Sequence, residues 1–281
     1  MPKLQVNDID LFYDIKGIGE PLLLIAGFSC DHFYWSQFIP SLTKQYQVIR
    51  LDNRGIGRSS APDSPYTIQQ MAKDAAALLE HIGINKVHVI GHSMGGQIAQ
   101  ELVFAHPEKI QSLILISTLA KGDALFNSVV ETWGNLLDKV DLKLFEQLIL
   151  PWIFTPEFYS IPGMIEQLIE WAINYPAPPT AHGLYHQSRA IINSDTSDRL
   201  SDIHCPTLVL VGRQDILTPV KFSQQLAQNI PNAELVVLDS GGHGFLIESP
   251  AAVAKIMLNF LDKLTPANSD RLSSPALTIN I

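Results

Sequence analysis

Five residues, Gly91-His92-Ser93-Met94-Gly95, have the G-x-S-x-G spacing that can present a serine for nucleophilic attack. Their setting gives the pentapeptide its weight. An apolar, strand-like run at 87–90 precedes it and an amphipathic stretch at 94–105 follows. The serine would therefore stand on a sharp strand-to-helix turn with its hydroxyl raised above a sheet. Gly91 and Gly95 suit that turn because side chains there would collide across it. A serine hydroxyl is a weak nucleophile; it needs a base, and the base needs an orienting carboxylate. Nine histidines compete to be that base. His243, in Ser240-Gly241-Gly242-His243-Gly244, follows the last expected strand at 234–238, at the sheet edge that also presents Ser93. His88 lies inside a strand, His81 and His106 sit at helix ends, and His92 is expected to pack into its surroundings. His182 and His186 stand one helical turn apart without a third ligand at a suitable spacing, so no metal is expected. For the carboxylate, Asp215 follows the strand expected at 207–211 through Gly212-Arg213-Gln214, whereas Asp239, four residues before His243, reads as a turn residue.

The elements that must hold these residues follow from periodicity. Short strands at 4–6 and 9–15 flank Asn7-Asp8, and nearly continuous apolar runs at 22–26 and 48–51 read as strands buried on both faces. Trp35, Phe38, Ile39 and Leu42 have helical spacing, as does the stripe from Ile68 to Ile82 that Gly83 ends. Strand 87–90, helix 94–105 and strand 110–116 complete the alternation, which implies right-handed crossovers and a mostly parallel sheet. Between 120 and 198 only helical stripes appear, at 125–137, at 142–149 closed by Pro151, and at 164–172. Strand 207–211, helix 220–229, strand 234–238 and helix 250–264 then resume the pattern. The chain thus divides into an α/β core of residues 1–119 and 199–264, a helical cap of residues 120–198 inserted after the sixth strand, and a loosely ordered tail of residues 265–281.

The chain order Ser93, Asp215, His243 is one of several matches to a known family. With Gly91-His92-Ser93-Met94-Gly95-Gly96, the run Leu51-Asp52-Asn53-Arg54-Gly55-Ile56-Gly57-Arg58-Ser59, Gly212-Arg213-Gln214-Asp215 and Gly242-His243, the sequence resembles the α/β-hydrolase superfamily over nearly its whole length. Locally it is similar to 3-oxoadipate enol-lactonases and small carboxylesterases. The resemblance implies a mostly parallel twisted sheet flanked by helices, with the cap over the nucleophile. It also implies an oxyanion hole made by the backbone N–H groups of Phe28 and Met94. Members usually have His-Gly where this chain has Ala26-Gly27. Main-chain donors keep the hole possible, with different hydrogen bonding behind the loop. The segment of Asp52 and Arg54 is mainly structural in the family. The cap holds 10 of the 23 aromatic residues, so Trp133, Trp152 and Phe154, with Phe245 beside His243, are candidate walls of an apolar pocket. Four basic and ten acidic residues give the cap −6 of the total −9, a field that disfavours acyl-carrier esters, coenzyme A thioesters and other strongly anionic substrates unless Arg189 offsets it.

Composition bounds the rest. A chain of 281 residues with 46% hydrophobic and 17% charged residues can bury a sizeable core. The net charge of −9, without a Lys/Arg run, disfavours nucleic acid or an anionic membrane as partner. Cys30 and Cys205 make no disulfide framework and read as two thiols in a reducing compartment. Residues 1–20 lack the apolar block of a signal peptide, and the run at 22–26 is far below the roughly 18 residues that span a bilayer. A cytoplasmic serine hydrolase follows, needing no cofactor and acting on a neutral, moderately hydrophobic carboxylic ester or lactone through an acyl-enzyme. The same fold also serves as a small-molecule receptor or binding module, or for cofactor-free peroxidase or lyase chemistry. Oligomeric state has no signature in the sequence.

Overall fold

An antiparallel hairpin opens the chain: β1 (Lys3–Val6) and β2 (Ile9–Lys16) turn at Asn7, whose φ of +49° a short polar side chain tolerates. The computed structural model describes residues 3–264 and 279–280, so the expectation for the tail falls mostly outside the described residues. Six further strands follow: β3 (Glu20–Ile25), β4 (Tyr46–Leu51), β5 (Val87–His92), β6 (Ile110–Ile116), β7 (Thr207–Gly212) and β8 (Ala233–Leu238). They lie in the order β1-β2-β4-β3-β5-β6-β7-β8, with the two-residue β9 (Ile279–Asn280) beside β8. β2 is antiparallel to both neighbours and every other pair is parallel.

The apolar runs are continuous because both faces of the sheet are covered. In β3, Leu23 and Ile25 join a core layer with Met71, Leu78 and Ile98, while Leu22 and Leu24 join an opposite layer with Trp35, Val253 and Met257. The first layer is built on α2 (Ile68–His81) and α3 (Met94–Ala105), the second on α1 (Ile39–Leu42) and α11 (Pro250–Leu264). α9 (Val220–Asn229) bridges β7 and β8, and the single turn α10 (Phe245–Glu248) precedes α11. Thr67 caps α2 by accepting the Gln70 N–H at 3.0 Å.

Between β6 and β7 lie α4 (Ala124–Gly134), α5 (Leu142–Ile153), α6 (Pro156–Tyr159), α7 (Met164–Ile173) and α8 (Ala181–Ile192). The two roots of this segment are tied together, since the Thr196 N–H donates to Ala120 O at 3.2 Å and Lys121 pairs with Asp195 at 2.7 Å. They are also tied to α3, where Gln100 donates to Leu119 O at 3.2 Å and accepts from Thr196 Oγ1 at 2.6 Å.

Two expectations need correcting. Pro151 does not close α5, which runs on to Ile153. The N–H that proline lacks falls on an exposed part of the helix, with Gln147 and Pro151 both exposed, and the Phe154 N–H returns to Leu150 O at 3.0 Å. α6 and α8 have no counterpart among the apolar stripes. In α8 the buried face carries His186, Gln187 and Ser188 beside Leu184 and Ile191, so hydrophobicity does not trace it. Among the described residues no helix is long and apolar enough to cross a membrane.

Candidate active site

Ser93 sits between β5 and α3 with φ +54° and ψ −121°, a backbone state that costs a non-glycine residue about 1–3 kcal/mol. Its surroundings hold it there. The Ser93 N–H donates to Ile116 O at 2.9 Å, and Ser93 O accepts from the Gly96 N–H at 2.9 Å and Thr118 Oγ1 at 2.7 Å. Gly95 is required by packing, because a Cβ there would run into the Ile25 carbonyl and lie 2.8 Å from Ala26 O. Ser93 is half-buried, and its Oγ makes no hydrogen bond among the described residues. A nucleophile–base contact is often loose in a ligand-free site and tightens around substrate.

The loop after β3 passes directly beside the serine. A Cβ on Gly27 would lie 3.0 Å from Ser93 Cβ, tighter than ordinary contact, so glycine suits this close approach of the loop. Phe28 follows it, and Met94 opens α3, where the first amides have no intrahelical acceptor. With Ala26 in the place where a histidine is usual, two other side chains brace the loop. Asn53 Nδ2 donates to Ala26 O at 3.1 Å. Gln187, fully buried on α8, accepts the Ser29 N–H at 3.3 Å and donates to Arg54 O at 2.9 Å. Ser29 itself has φ +61°. Nothing local in the sequence marks Gln187, since it lies 158 residues from Ser29.

His243 and Asp215 meet at the far ends of β8 and β7. His243 Nδ1 lies 3.0 Å from Asp215 Oδ2 and 3.1 Å from Thr218 Oγ1. Asp215 also accepts the Leu217 N–H at 3.0 Å, the Thr218 N–H at 2.7 Å and the Thr218 hydroxyl at 2.7 Å. Burial opposes ionisation of Asp215, but the facing His243 and the Thr218 donors outweigh it and hold the carboxyl below its usual range. Asp239 plays no part here; it pairs with Arg213 at 2.8 Å on the surface. His92 packs between the rings of Tyr34 and His243, at centroid distances of 5.0 and 4.9 Å. Its Nε2 lies 3.1 Å from His243 O, and burial, then the neighbouring His243, lowers it to about 3, so it stays neutral.

The charges next to the loop are structural. Arg54, fully buried, pairs with Asp74 at 2.7 Å and Asp8 at 2.9 Å. Asp52 accepts the His32 N–H and the Arg58 N–H, each at 2.8 Å, and lies 2.6 Å from His32 Nδ1. Ligand-type atoms of Asp31, His32 and Asp52 approach within 4.8 Å of one another, but both Asp52 oxygens are already occupied by these donors. His182 and His186 are separated in use: one binds Ala61 O at 2.8 Å, the other Asp63 at 3.1 Å, seating α8 on the loop before α2. Arg189 is held by Glu131 at 2.7 Å on the surface.

The candidate pocket residues divide. Trp133 is buried and stacks on Phe28 at 6.3 Å, over the loop beside Ser93. Phe154 stacks on Phe158 at 4.5 Å and packs against Gly244, beside the His243 turn. Trp152 is half-buried against the α2–α3 core layer, and Phe245 belongs to the opposite layer with Leu246 and Met257. None of the four lines either of two cavities beside the cap helices. One is an open groove of about 580 Å³ between α5 and α7, lined by Pro151, Ile169 and Ile173 among others. The other, about 110 Å³, adjoins the loop after β3 and is lined by Ser29, Cys30, Tyr34, Glu146, Trp171 and Tyr175 among others. Burial, with Asp31 and Glu146 nearby, pushes the Cys30 thiol up to about 12, so it is no thiolate nucleophile.

Comparison with known proteins adds to this geometry. The family described as alpha/beta hydrolase fold matches residues 20–250. A protein of Azorhizobium caulinodans named as a carbamate hydrolase, RutD, is 30% identical over 266 residues, 94% of this chain and 99% of that protein. Among solved structures, the enol-lactonase from Burkholderia xenovorans LB400 is similar with a TM-score of 0.84 and 26% identity, covering 93% of this chain and all of that one, 100%. A thermophilic esterase from Thermogutta terrifontis is similar with a TM-score of 0.81 and 28% identity over 91% of this chain and 94% of that one.

Proposed function

The chain belongs to the α/β-hydrolase family, and we propose that within it the protein is a serine hydrolase cleaving a carboxylic ester or lactone through an acyl-enzyme. The observation that carries this reading is the Ser93 elbow, φ +54°, at the sheet edge that also bears the His243–Asp215 pair at 3.0 Å. Ser93 Oγ attacks the carbonyl carbon and gives its proton to His243 Nε2. Asp215 fixes the tautomer by accepting the Nδ1–H and stabilises the imidazolium. The amides of Phe28 and Met94 receive the tetrahedral oxyanion, each aligned donor contributing about 2.7–4 kcal/mol. Collapse expels the alcohol, protonated by His243, and the same imidazole then activates the water that releases the acid.

The charge of the helical cap, −6 over residues 120–198, favours substrates without strong negative charge, and Arg189 is too engaged with Glu131 to offset it. A carbamate, the substrate class in the name of the Azorhizobium relative, would be opened by the same acyl chemistry and belongs in any substrate panel. The two free thiols, Cys30 and Cys205, support a cytoplasmic location. A fluorophosphonate probe tests the nucleophile: wild type should be labelled and Ser93→Ala should not, with ester turnover lower by about 10⁴-fold or more. Equal labelling of both would overturn the assignment. If no ester, lactone or carbamate is turned over while a ligand binds saturably, the receptor reading takes its place.

A further inference from the structure

The 110 Å³ cavity begins where the catalytic loop ends. Ser29 and Cys30, on its wall, follow Phe28 without a break. Tyr34, also on its wall, has its hydroxyl 3.4 Å from Nε2 of His92, the residue before Ser93. The space thus adjoins the loop that carries Phe28 and touches His92, the residue before Ser93, through Tyr34. Pockets that take whole small-molecule ligands measure roughly 300–1,000 Å³, so a cavity of about 110 Å³ takes one substituent of a substrate rather than all of it.

Its walls have a definite chemistry. Three rings face it, from Tyr34, Trp171 and Tyr175, with Trp171 and Tyr175 4.8 Å apart. Asp31 is satisfied, accepting the Phe33 N–H at 2.8 Å and the Tyr175 hydroxyl. Cys30 is a neutral thiol. Glu146, on α5, differs from both. Among the described residues it has neither a hydrogen bond nor an ion pair. Burial alone, with no cation to oppose it, pushes its carboxyl up to about 7. A half-buried carboxyl without a donor is poorly solvated, and a group bringing both a positive charge and an N–H relieves it. Aromatic faces beside it attract the same kind of group. The acidic cap draws such a cation in rather than repelling it.

We infer that this cavity is a subsite for a protonated amine carried by the substrate, with Glu146 as its ion-pair partner and Tyr34, Trp171 and Tyr175 as its walls. The inference rests on the hydrolase reading and sharpens it: the substrate is an otherwise apolar ester with one aminoalkyl arm, on the acyl or the alcohol side. Two pairs of isosteric esters test it, differing only in N–H⁺ for C–H. One pair is the 2-(dimethylamino)ethyl and 3-methylbutyl esters of one acid; the other is the 4-(dimethylamino)butanoate and 5-methylhexanoate esters of one alcohol. The readout is the ratio of kcat/KM, charged over neutral, within each protein, so loss of folded enzyme cancels. Wild type should favour the charged member of at least one pair by about tenfold or more. In Glu146→Gln the ratio should fall to about one, and Glu146→Asp should keep part of it. A wild-type ratio at or below one in both pairs, or a preference that survives Glu146→Gln, overturns the subsite. If no ester of any kind is hydrolysed, the hydrolase reading fails by itself. Calorimetry with ethyldimethylammonium chloride then decides the subsite: saturable heat in wild type that Glu146→Gln abolishes supports it, and no heat in wild type overturns it.

Discussion

Replacing Asp215 by asparagine isolates one atom. The carboxylate divides its work: Oδ1 accepts the Leu217 and Thr218 amides at 3.0 and 2.7 Å, and Oδ2 faces the Thr218 hydroxyl at 2.7 Å and His243 Nδ1 at 3.0 Å. In Asp215→Asn the amide oxygen keeps the two backbone donors, which orient the side chain so that its NH2 occupies the place of Oδ2. The Thr218 hydroxyl can reverse and accept from that NH2. His243 Nδ1 must then accept as well, which moves the ring hydrogen to Nε2, the nitrogen that has to take the Ser93 proton. The geometry survives and the tautomer is wrong, a change expected to lower kcat/KM by about 10⁴, or about 5.5 kcal/mol of transition-state stabilisation. Stability should change far less, by about 1–2 kcal/mol, since only a charge-assisted bond is exchanged for a neutral one. That loss has a sign in pH. Because the folded state holds the Asp215 carboxyl below its usual range, its contribution is present above about pH 3.9, the unfolded value, and disappears as pH falls through the lower folded value. Turnover of p-nitrophenyl butyrate, with urea denaturation of the same preparations at pH 7, measures the two effects separately. A folded Asp215→Asn enzyme within tenfold of wild type would refute the assignment of tautomer control to this carboxylate.

Gly95→Ala should drive a methyl into the Ile25 carbonyl and lower stability by about 1–3 kcal/mol, with a fall in Tm of several degrees; an unchanged melting curve would show that β3 and α3 can part without penalty. Gln187→Leu removes the partner of both the Ser29 N–H and the Arg54 carbonyl, so kcat should drop about 10–100-fold with KM within about threefold. A fall confined to KM would count against loop bracing. Glu146→Gln should leave stability unchanged at pH 4 and raise it at pH 8. A carboxyl raised to about 7 folds protonated, so the wild type loses stability between the unfolded value near 4.5 and about 7 and does not regain it above. Discounted for partial exposure, the gain is about 1–2 kcal/mol, readable in urea midpoints at the two pH values.

Periodicity located α3, β6, α9 and α11 to the residue because each shows one apolar stripe or run to a buried layer, with limits set by Ser93, Pro107, Pro219 and Pro250. It failed at α8, where Gln187 and Ser188 are buried for hydrogen bonding and close approach rather than for hydrophobicity. It also misplaced the end of α5, because a proline on an exposed face, where the lost bond leaves no buried carbonyl unsatisfied, need not end a helix. The placement of His243 against Asp215 rather than Asp239 follows from strand ends: β7 and β8 are neighbours in register, and the residue three beyond Gly212 faces the loop five beyond Leu238. The cavity walls had no such signal. Counting aromatic residues in 120–198 cannot separate Trp171, which lines a cavity, from Trp152, which packs on the core. Glu146 meets Cys30 only through the fold, so no spacing in the chain relates them.

The bond between Ser29 and Gln187 closes a loop of 158 residues, among the longest-range side-chain contacts near the site. Such contacts are entropically expensive and form late. A chain still being synthesised therefore owns its serine, and the strand and helix that present it, well before it owns the brace of its oxyanion loop. On the proposed mechanism full turnover waits for Asp215 and His243, which follow α8 in the chain, and for α8 to dock, so the last factor of about 10–100-fold in activity recovered on refolding reports the seating of that one helix.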